Sequence, residues 1–311
     1  MTIATETNPS PNDTALPVFR GVETPFRRIV SEFCESRTAV AGFIIFVTIL
    51  GAAVFAPWIS PTDPYDLQTV DILENRMPPG AQSMTGVVYV LGTDGMGRDM
   101  LSAILHGVRI SLFVGVVSGV IALLVGMVLG LLAAFYGGVV DTLIMRLVDL
   151  KLGFPSILIA MLLLAVLGKG VDKIILALVI VQWANYARVV RATALVERNK
   201  EYVEASRCLA LSDTSVVFRH ILPNCMPPLI VVGTVQVAYA IALEATLSFL
   251  GLGLPTTEPS LGLLIANGFE YLMSGKYWIS VFPGVALMIT IVSINLMGDR
   301  LRDVLNPRLQ R

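Results

Sequence analysis

Six long apolar stretches divide the chain, and they constrain its fold more than any other feature of the sequence. They lie at 38–59, 110–135, 154–167, 174–190, 229–250 and 279–296. A helix that crosses the roughly 30 Å hydrocarbon core of a bilayer needs about 20 mostly apolar residues. The chain has 311 residues, of which 55% are hydrophobic and only 14% are charged, which ordinary soluble domains do not show. We therefore predict an all-α, polytopic membrane protein with six transmembrane helices.

The third stretch is the shortest, and charged residues precede it. A helical pattern leads into it from Asp141, but Arg146, Asp149 and Lys151 interrupt this lead-in before Pro155. Because charged side chains are costly in hydrocarbon, we expect the lead-in to lie at the membrane interface.

The second stretch contains glycines at helical spacing, namely Gly115, Gly119, Gly126 and Gly130. Such a stripe lets two helix backbones approach closely and pack by van der Waals contact. We expect close helix packing along this face.

The distribution of Lys and Arg predicts the orientation of the chain. Six crossings place both termini and the loops after the second and fourth spans on one side, and 16 of the 22 Lys and Arg residues fall there. By the positive-inside rule this side is cytoplasmic. The polar residues before the first span contain no apolar core of a cleavable signal, so we interpret that span as an uncleaved anchor.

Composition also separates regions along the chain. We assign them as a cytoplasmic tail with an interfacial helix at 1–37, a first transmembrane helix at 38–59, an extracytoplasmic insertion at 60–107, a transmembrane core at 108–304 that contains a cytoplasmic loop at 191–226, and a cytoplasmic tail at 305–311.

Several classes of function are disfavoured. A net charge of −1 argues against a nucleic-acid partner, since membrane topology accounts for the basic residues. The chain has no His-Glu-x-x-His or Gly-x-Ser-x-Gly motif, which argues against an enzyme. It also has no Gly-x-x-x-x-Gly-Lys-Ser/Thr loop, so we do not expect it to bind ATP by cradling the phosphates itself. His106 and His220, the only histidines, fall on opposite predicted sides of the membrane, so they cannot share a metal ion.

The loop between the fourth and fifth spans is more ordered than a plain connection requires. Small and apolar residues share one helical face at 202–210, and Ser212 or Asp213 can cap a second short helix that Leu222 and Pro223 close. This pattern predicts a helix-turn-helix on the cytoplasmic surface. It could be an amphipathic connector that rests on lipid headgroups, or a docking element for a soluble protein.

The loop resembles the coupling loop of importer-type ABC permeases. In that pattern Glu-Ala-Ala is followed after three residues by Gly, and Leu-Pro begins twelve positions beyond the Gly. The corresponding residues here are Glu204, Ala205, Ser206, Ala210, Leu222 and Pro223. Ala210 stands in the place of the Gly and His220 in the place of a common Ile, so the departures concern the bend. The resemblance implies that the six residues couple the chain to an ATPase.

Two further segments carry a narrower resemblance. The residues at 91–112, which begin Leu-Gly-Thr-Asp-Gly-Met-Gly-Arg-Asp, and those at 244–253 are similar to the second permease subunit of dipeptide, oligopeptide, glutathione and nickel importers. The similarity extends from about residue 38 to residue 307. It implies the type I ABC importer permease fold, a prokaryotic plasma (inner) membrane and a transport subunit without catalytic activity. Peptides are the favoured solute, with glutathione and nickel chelates left open.

The resemblance also implies a set of partners. These are a second homologous permease, two cytoplasmic ATPase subunits that bind ATP and Mg, and an extracytoplasmic solute-binding protein. The chain itself would bind no cofactor and no metal.

Three polar residues fall deep in the spans. Glu244 is costly to insert, so we expect it to face protein or water, either as a structural carboxylate or in the translocation path. Gln182 and Asn185 in the fourth span either bridge helices or contact the path.

An ion-coupled secondary transporter is the alternative function. It would carry several coupling carboxylates in its spans and an internal repeat, whereas this chain offers only Glu244 and no evident repeat. Dependence of transport on ATP distinguishes the two classes.

Overall fold

The computed structural model describes residues 25–65, 72–84, 86–255 and 257–305. The predicted N-terminal tail before residue 25 and the end of the C-terminal tail, 306–311, lie outside the described residues.

The first part of the chain contains three helices and a small folded segment. The helices are α1 (Pro25–Cys34), α2 (Arg37–Val54) and α3 (Ala56–Ile59). A 3₁₀ turn (Ile72–Glu74) and a two-stranded antiparallel sheet follow, with β1 (Ala81–Gln82) paired to β2 (Val88–Tyr89) so that Ala81 lies opposite Tyr89.

The rest of the described chain is helical. Its elements are α4 (Met100–Tyr136), α5 (Gly138–Gly153), α6 (Ser156–Leu167), α7 (Val171–Arg198), α8 (Glu201–Cys208), α9 (Asp213–Ser215), a π-helical turn (Val216–Ile221), α10 (Leu222–Phe249), α11 (Leu261–Phe269), a 3₁₀ turn (Leu272–Ser274) and α12 (Trp278–Leu305).

Within the described residues, five helices are long and apolar enough to cross a membrane. They are α2, α4, α7, the continuous helix Asp213–Phe249 and α12. The helices α5 and α6 meet at an angle of 91°, and the number of spans is six when this bent pair is counted as one. The lead-in and the third span are thus two helices with a break beside Pro155, which was not expected, and the position of α5 at the membrane interface stays a prediction.

Two helices begin well before their expected positions, and a third helix was not expected. The helix α4 begins at Met100, ten residues before the predicted second span, because the Asp99 carboxylate caps it by accepting the Ser102 N–H at 2.8 Å. The fifth span was predicted from 229, but its helix runs without a break from Asp213. The helix α11 was not predicted, since it is only nine residues long and follows a Gly- and Pro-rich connection.

The helices α4 and α7 pack with their backbones almost in contact. A Cβ atom placed on Gly126 would lie 2.5 Å from the Trp183 carbonyl oxygen, and one on Gly130 would lie 2.6 Å from the Ala187 carbonyl oxygen. Nearer the start of α4, Gly115 and Gly119 make room for side chains of α10, since a Cβ atom on them would lie 2.6 Å from the Ile241 side chain and 3.0 Å from the Val237 side chain. The expected role of this glycine stripe in helix packing is confirmed.

Residues 72–99, which we call the cap segment, form a compact unit before α4 that is held together by buried polar contacts. Asp94 and Arg98 are each only 1% exposed and form a salt bridge of 2.7 Å. The Asp94 carboxylate also accepts the Met96 and Arg98 backbone N–H groups at 2.8 and 2.9 Å. The indole N–H of Trp278 donates to the Thr93 carbonyl at 3.3 Å, so the cap segment is tied to the first turn of α12.

Candidate coupling site

The loop between α7 and α10 is a helix-turn-helix whose inner face packs on the bundle. Val203 of α8 is fully buried and belongs to the same apolar cluster as Val216, Ile221 and Leu229. Ser206 is also buried, and its hydroxyl donates to the Tyr202 carbonyl at 2.6 Å. The helix α8 is therefore held against the spans along one side.

The bend of the loop is made by Ala210, which adopts a left-handed backbone conformation with φ of 53°. The Leu211 N–H donates to the Ser206 carbonyl at 3.3 Å, which is the six-residue closure typical of a helix that ends in a left-handed residue. Glycine normally occupies this position because a Cβ atom costs about 1 kcal/mol there. Ala210 thus keeps the shape of the bend and carries the strain.

The second arm begins at Ser212, whose hydroxyl accepts the Ser215 N–H at 3.4 Å. The predicted closure of the loop at Leu222 and Pro223 is wrong, because the helix continues through both residues into α10. The preceding turn widens to π geometry, with the Leu222 N–H donating to the Val217 carbonyl. This wider turn accommodates Pro223, which has no N–H to donate.

A network of side-chain hydrogen bonds joins the two arms of the loop to the end of α7. The Glu197 carboxylate accepts from the Lys200 ammonium at 2.7 Å and from the Tyr202 hydroxyl at 2.6 Å. The Asn224 amide donates to the Tyr202 oxygen at 3.2 Å and to the His220 carbonyl at 2.7 Å. Burial, together with the hydrogen bond to Glu197, raises the pKa of Tyr202 to about 12, so the phenol stays protonated.

The outer face of the loop is exposed. Of the six predicted coupling residues, Glu204, Ala205, Ala210 and Pro223 are exposed, Leu222 is half-buried and Ser206 is buried. Three large apolar side chains lie on the exposed side, with Leu209 75%, Phe218 60% and Leu211 40% exposed. The sequence interpretation did not single out Leu211 and Phe218, although apolar residues on both sides of the Ser212 cap are a signal that could have identified them.

Glu244 lies in a cage of hydroxyl groups and is fully buried. Its carboxylate accepts from Ser248 at 2.7 Å and from Ser111 of α4 at 2.9 Å. Ser260, which caps α11, also hydrogen-bonds this carboxylate. Glu244 therefore connects three helices at the end of α10 remote from the loop.

Gln182 lies in a different environment from Glu244. It is fully buried in α7, yet neither its side-chain oxygen nor its nitrogen has a hydrogen-bond partner among the described residues. The Tyr186 hydroxyl, one turn further along α7, is likewise buried and unpaired in the described part of the chain. Asn185 is half-buried on the same helix. Gln182 and Asn185 both lie on α7, and neither forms a hydrogen bond with Glu244 in the described part of the chain.

The described residues contain no group of three or more His, Cys, Asp or Glu side chains that could hold a metal ion. The imidazole Nδ1 of His106 lies 3.0 Å from the Ser102 carbonyl, one turn earlier in α4.

Comparison with protein families gives two matches. The model described as "Binding-protein-dependent transport system inner membrane component" matches residues 126–311. The model described as "N-terminal TM domain of oligopeptide transport permease C" matches residues 24–79.

Curated relatives match most of the chain. A putative peptide transport system permease protein of Brucella suis is 41% identical over 269 residues, which are 86% of this chain and 87% of the relative. The di/tripeptide transport system permease protein DppC of Pseudomonas aeruginosa is 39% identical, covering 92% of this chain and 93% of its own. The dipeptide permease DppC of Escherichia coli K12 is 40% identical, covering 93% and 95%.

Among solved structures, an inward-facing conformation of the MetNI methionine ABC transporter resembles this fold. The match has a TM-score of 0.55 and covers 68% of this chain and 100% of the other, with 22% identity. It concerns the fold alone.

Proposed function

Since the chain belongs to the family of binding-protein-dependent transport system inner membrane components and is a permease of an ABC peptide importer, we propose that the outer face of its 204–223 loop docks on a partner ATPase. Glu204, Ala205, Ala210 and Pro223 contribute the exposed surface of this site, and Ser206 and Leu222 lie behind it. The chain is a multi-pass membrane protein, and it acts as a transport subunit rather than as an enzyme.

We further propose the assembly in which this subunit works. It pairs with a second homologous permease in the inner membrane and receives di- or oligopeptides from an extracytoplasmic solute-binding protein. Two cytoplasmic ATPase subunits bind ATP and Mg and hydrolyse the ATP, and this chain binds no cofactor of its own. Both termini and the 191–226 loop are cytoplasmic, and the 60–107 insertion is extracytoplasmic. The supporting evidence for this orientation is the distribution of Lys and Arg.

The observation that carries the docking proposal is the contrast between the two faces of the loop. The inner face is fixed by Val203 and by the hydrogen bonds of Tyr202, while the outer face exposes Leu209 and Leu211. The contacts of its inner face already hold the loop in one conformation. Insertion of its exposed apolar side into a groove of another protein would therefore cost little further conformational entropy. An exposed loop that served only as a connection would need no such bracing.

The alternative, in which the loop rests on lipid headgroups, is less consistent with its charges. Glu201 and Glu204 lie exposed in the first turn of α8, where the helix dipole favours negative charge. Residues 199–223 carry three acidic and three basic side chains in all, so the loop has no net positive charge that would attract it to an anionic cytoplasmic leaflet.

The long helix Asp213–Phe249 provides a mechanical route from the loop to the spans. Ser212 and Glu244 are 32 positions apart, which corresponds to about 48 Å along a helix axis. When ATP draws the two ATPases together, the docked loops move with them, and the helix conveys this displacement to the far end of the bundle. The spans then exchange between inward-open and outward-open arrangements.

We propose Gln182, Asn185 and Glu244 as candidates for the translocation path. The unpaired amide of Gln182 supports a role for this residue, because a buried polar group without a partner costs about 1–3 kcal/mol and would gain one from solute or water in another state. The hydrogen bonds from Ser111 and Ser248 to Glu244 support instead a structural role, in which this carboxylate holds α10 against α4.

The variant Glu244→Gln distinguishes the two roles of that residue. Normal assembly with altered transport would favour contact with the path. Loss of the folded subunit would favour the structural role. Membrane abundance and peptide uptake are the two measurements.

The docking proposal is tested with the double variant Glu204→Arg and Ala210→Trp. We expect peptide-stimulated ATP hydrolysis and uptake to fall at least about tenfold, with normal abundance and assembly of the permease pair, because docking loses charge and shape complementarity. The matched control is Asp303→Arg, a charge reversal at an exposed position near the end of α12. Unchanged uptake and ATP hydrolysis in the double variant would show that the docking assignment is wrong.

The same reconstituted system addresses an ion-coupled secondary transporter. Peptide uptake driven by a proton or sodium gradient in liposomes without ATP would contradict an ATP-driven mechanism.

A further inference from the structure

A two-part cavity lies at the end of the bundle where α4 begins, far from the coupling loop. Its apolar part has a volume of about 540 Å³ and runs between α2 and α4, and its main lining residues are Leu50, Val54, Leu112, Phe113, Val116 and Val117. Its polar part has a volume of about 270 Å³ and is lined by Ser60, Thr62, Asp63, Tyr65, His106 and Arg109. Tyr65 and Arg109 line both parts, so the two are adjacent.

The apolar part follows one face of a membrane-spanning helix. Arg109, Phe113, Val116 and Val117 recur at the spacing of a single face of α4, and they cover about 12 Å of its length. Phe113 is 55% exposed and Val116 is 44% exposed, and Val54 of α2 opposite them is 52% exposed. This wall is thus uncovered in the described part of the chain, at a depth where the surroundings are acyl chains or another membrane protein.

The polar part carries charges of both signs at the border of the apolar part. Arg109 is exposed and forms neither a hydrogen bond nor a salt bridge with another described residue. Asp63 uses one carboxylate oxygen to accept the Tyr65 N–H at 2.9 Å. Glu258 is close enough to act electrostatically on Tyr65, as Arg109 and Asp63 do. The cavity therefore presents the Arg109 guanidinium between a long apolar wall and the Asp63 carboxylate.

We propose that this cavity binds one phospholipid with an ammonium headgroup, of the phosphatidylethanolamine type. Arg109 binds the phosphate, Asp63 binds the ammonium group, and one acyl chain lies along Phe113 and Val116. A guanidinium matches a phosphate with charge-assisted hydrogen bonds, and it occupies the level at which arginine side chains at helix ends reach the headgroups. The bound chain fills the gap between α2 and α4.

The charge pattern favours this ligand over other occupants. An anionic phospholipid would satisfy Arg109 but would leave Asp63 and Glu258 facing further negative charge. A free phosphate would leave the apolar part unfilled. A transmembrane helix of a partner would cover Phe113 and Val116 but would leave Arg109 without a counter-charge at the membrane boundary, unless that helix carried an acidic residue there.

The test uses the assembled importer, extracted in a mild detergent and analysed by native mass spectrometry for bound lipid. We expect Arg109→Gln to reduce retained phosphatidylethanolamine by about fivefold, because a charge-assisted pair is lost. Asp63→Asn should reduce the preference for phosphatidylethanolamine over phosphatidylglycerol. The matched control is Arg146→Gln, which removes an exposed arginine from α5, and it should leave lipid retention unchanged.

A second variant protects the test against misfolding of the arginine variant. Val116→Trp adds bulk to the apolar part without changing charge, so it should also reduce retention of the lipid. Equal retention of phosphatidylethanolamine in Arg109→Gln, Val116→Trp and the unmodified protein would overturn the proposal.

Photo-crosslinking identifies the occupant directly. A photoreactive phenylalanine at position 113 should label lipid in nanodiscs that contain phosphatidylethanolamine. Labelling of the second permease or of a peptide solute, instead of lipid, would also overturn the proposal. Neither outcome bears on the docking of the 204–223 loop, which is measured by ATP hydrolysis.

Discussion

The cap segment at 72–99 and the loop at 199–223 are both polar, yet they use their polar residues in opposite ways. In the cap segment, Asp94 and Arg98 bond to each other and are almost completely buried. In the loop, Glu204 is exposed and the bonded groups, such as Tyr202, lie behind the exposed face. Polar sequence in a membrane protein thus marks either a self-contained structural unit or a surface for another molecule. Burial and hydrogen bonding within the chain distinguish the two.

The largest expected effect tests the structural side of this comparison. Arg98→Gln leaves the Asp94 carboxylate buried without its charge partner, so we expect the subunit to lose about 3–5 kcal/mol of stability. Thermal unfolding of the purified permease pair measures this loss.

The control for this variant is Arg188→Gln, which breaks the salt bridge to Asp149. Both side chains of that pair are more than half exposed, so we expect a loss below about 1 kcal/mol. Equal losses of stability in the two variants would contradict the view that the buried salt bridge of the cap segment stabilises the fold.

An effect of intermediate size concerns the strain in the loop. Ala210→Gly places a residue without a Cβ atom at the left-handed position, which should stabilise the bend by about 1 kcal/mol. Hydrogen exchange of the Leu209 and Leu211 amides should slow by about fivefold, since both close the end of α8.

The same substitution in the helix should have the opposite sign. Ala205→Gly lies within α8, where glycine costs about 1 kcal/mol, so these amides should exchange faster. Faster exchange in Ala210→Gly as well would show that Ala210 is not strained.

The smallest expected effect is the dependence of the stability of the cap segment on pH, through the carboxyl group of Glu74. Hydrogen bonds from Tyr89, Ser83 and the Met84 N–H hold the pKa of Glu74 below its usual value. Its contribution to stability is therefore complete above the usual carboxyl pKa and is lost as the pH falls through the lowered folded pKa. Proteolysis of the cap segment should accelerate in that acidic range only.

Glu74→Gln provides the comparison for the pH series. Its proteolysis should be faster at neutral pH and should change less on acidification. An unmodified protein whose cap segment is equally resistant throughout would contradict this role for Glu74.

Much of the architecture follows from local sequence. The apolar stretches predict the spans because a bilayer imposes their length. Motif spacing also indicated the loop. In each case a few neighbouring residues determine the outcome.

What the sequence could not supply depends on contacts between distant residues or on backbone detail. Ser111 and Glu244 are 133 positions apart, and only the packing of α4 on α10 makes them partners. Leu222 and Pro223 suggested the end of a loop, but a π turn lets the helix continue. Alanine is a good helix former, so residue 210 itself does not indicate a left-handed conformation, although the resemblance marks its position as that of a glycine.

The glycine contacts between α4 and α7 have a consequence for motion. At Gly126 and Gly130 no side chain separates the two backbones, so neither helix can turn or slide past the other without a steric clash. Whatever rearrangement opens and closes the bundle therefore carries this pair as one rigid body. The hinges must lie outside this pair, for example where α5 meets α6 at an angle of 91°.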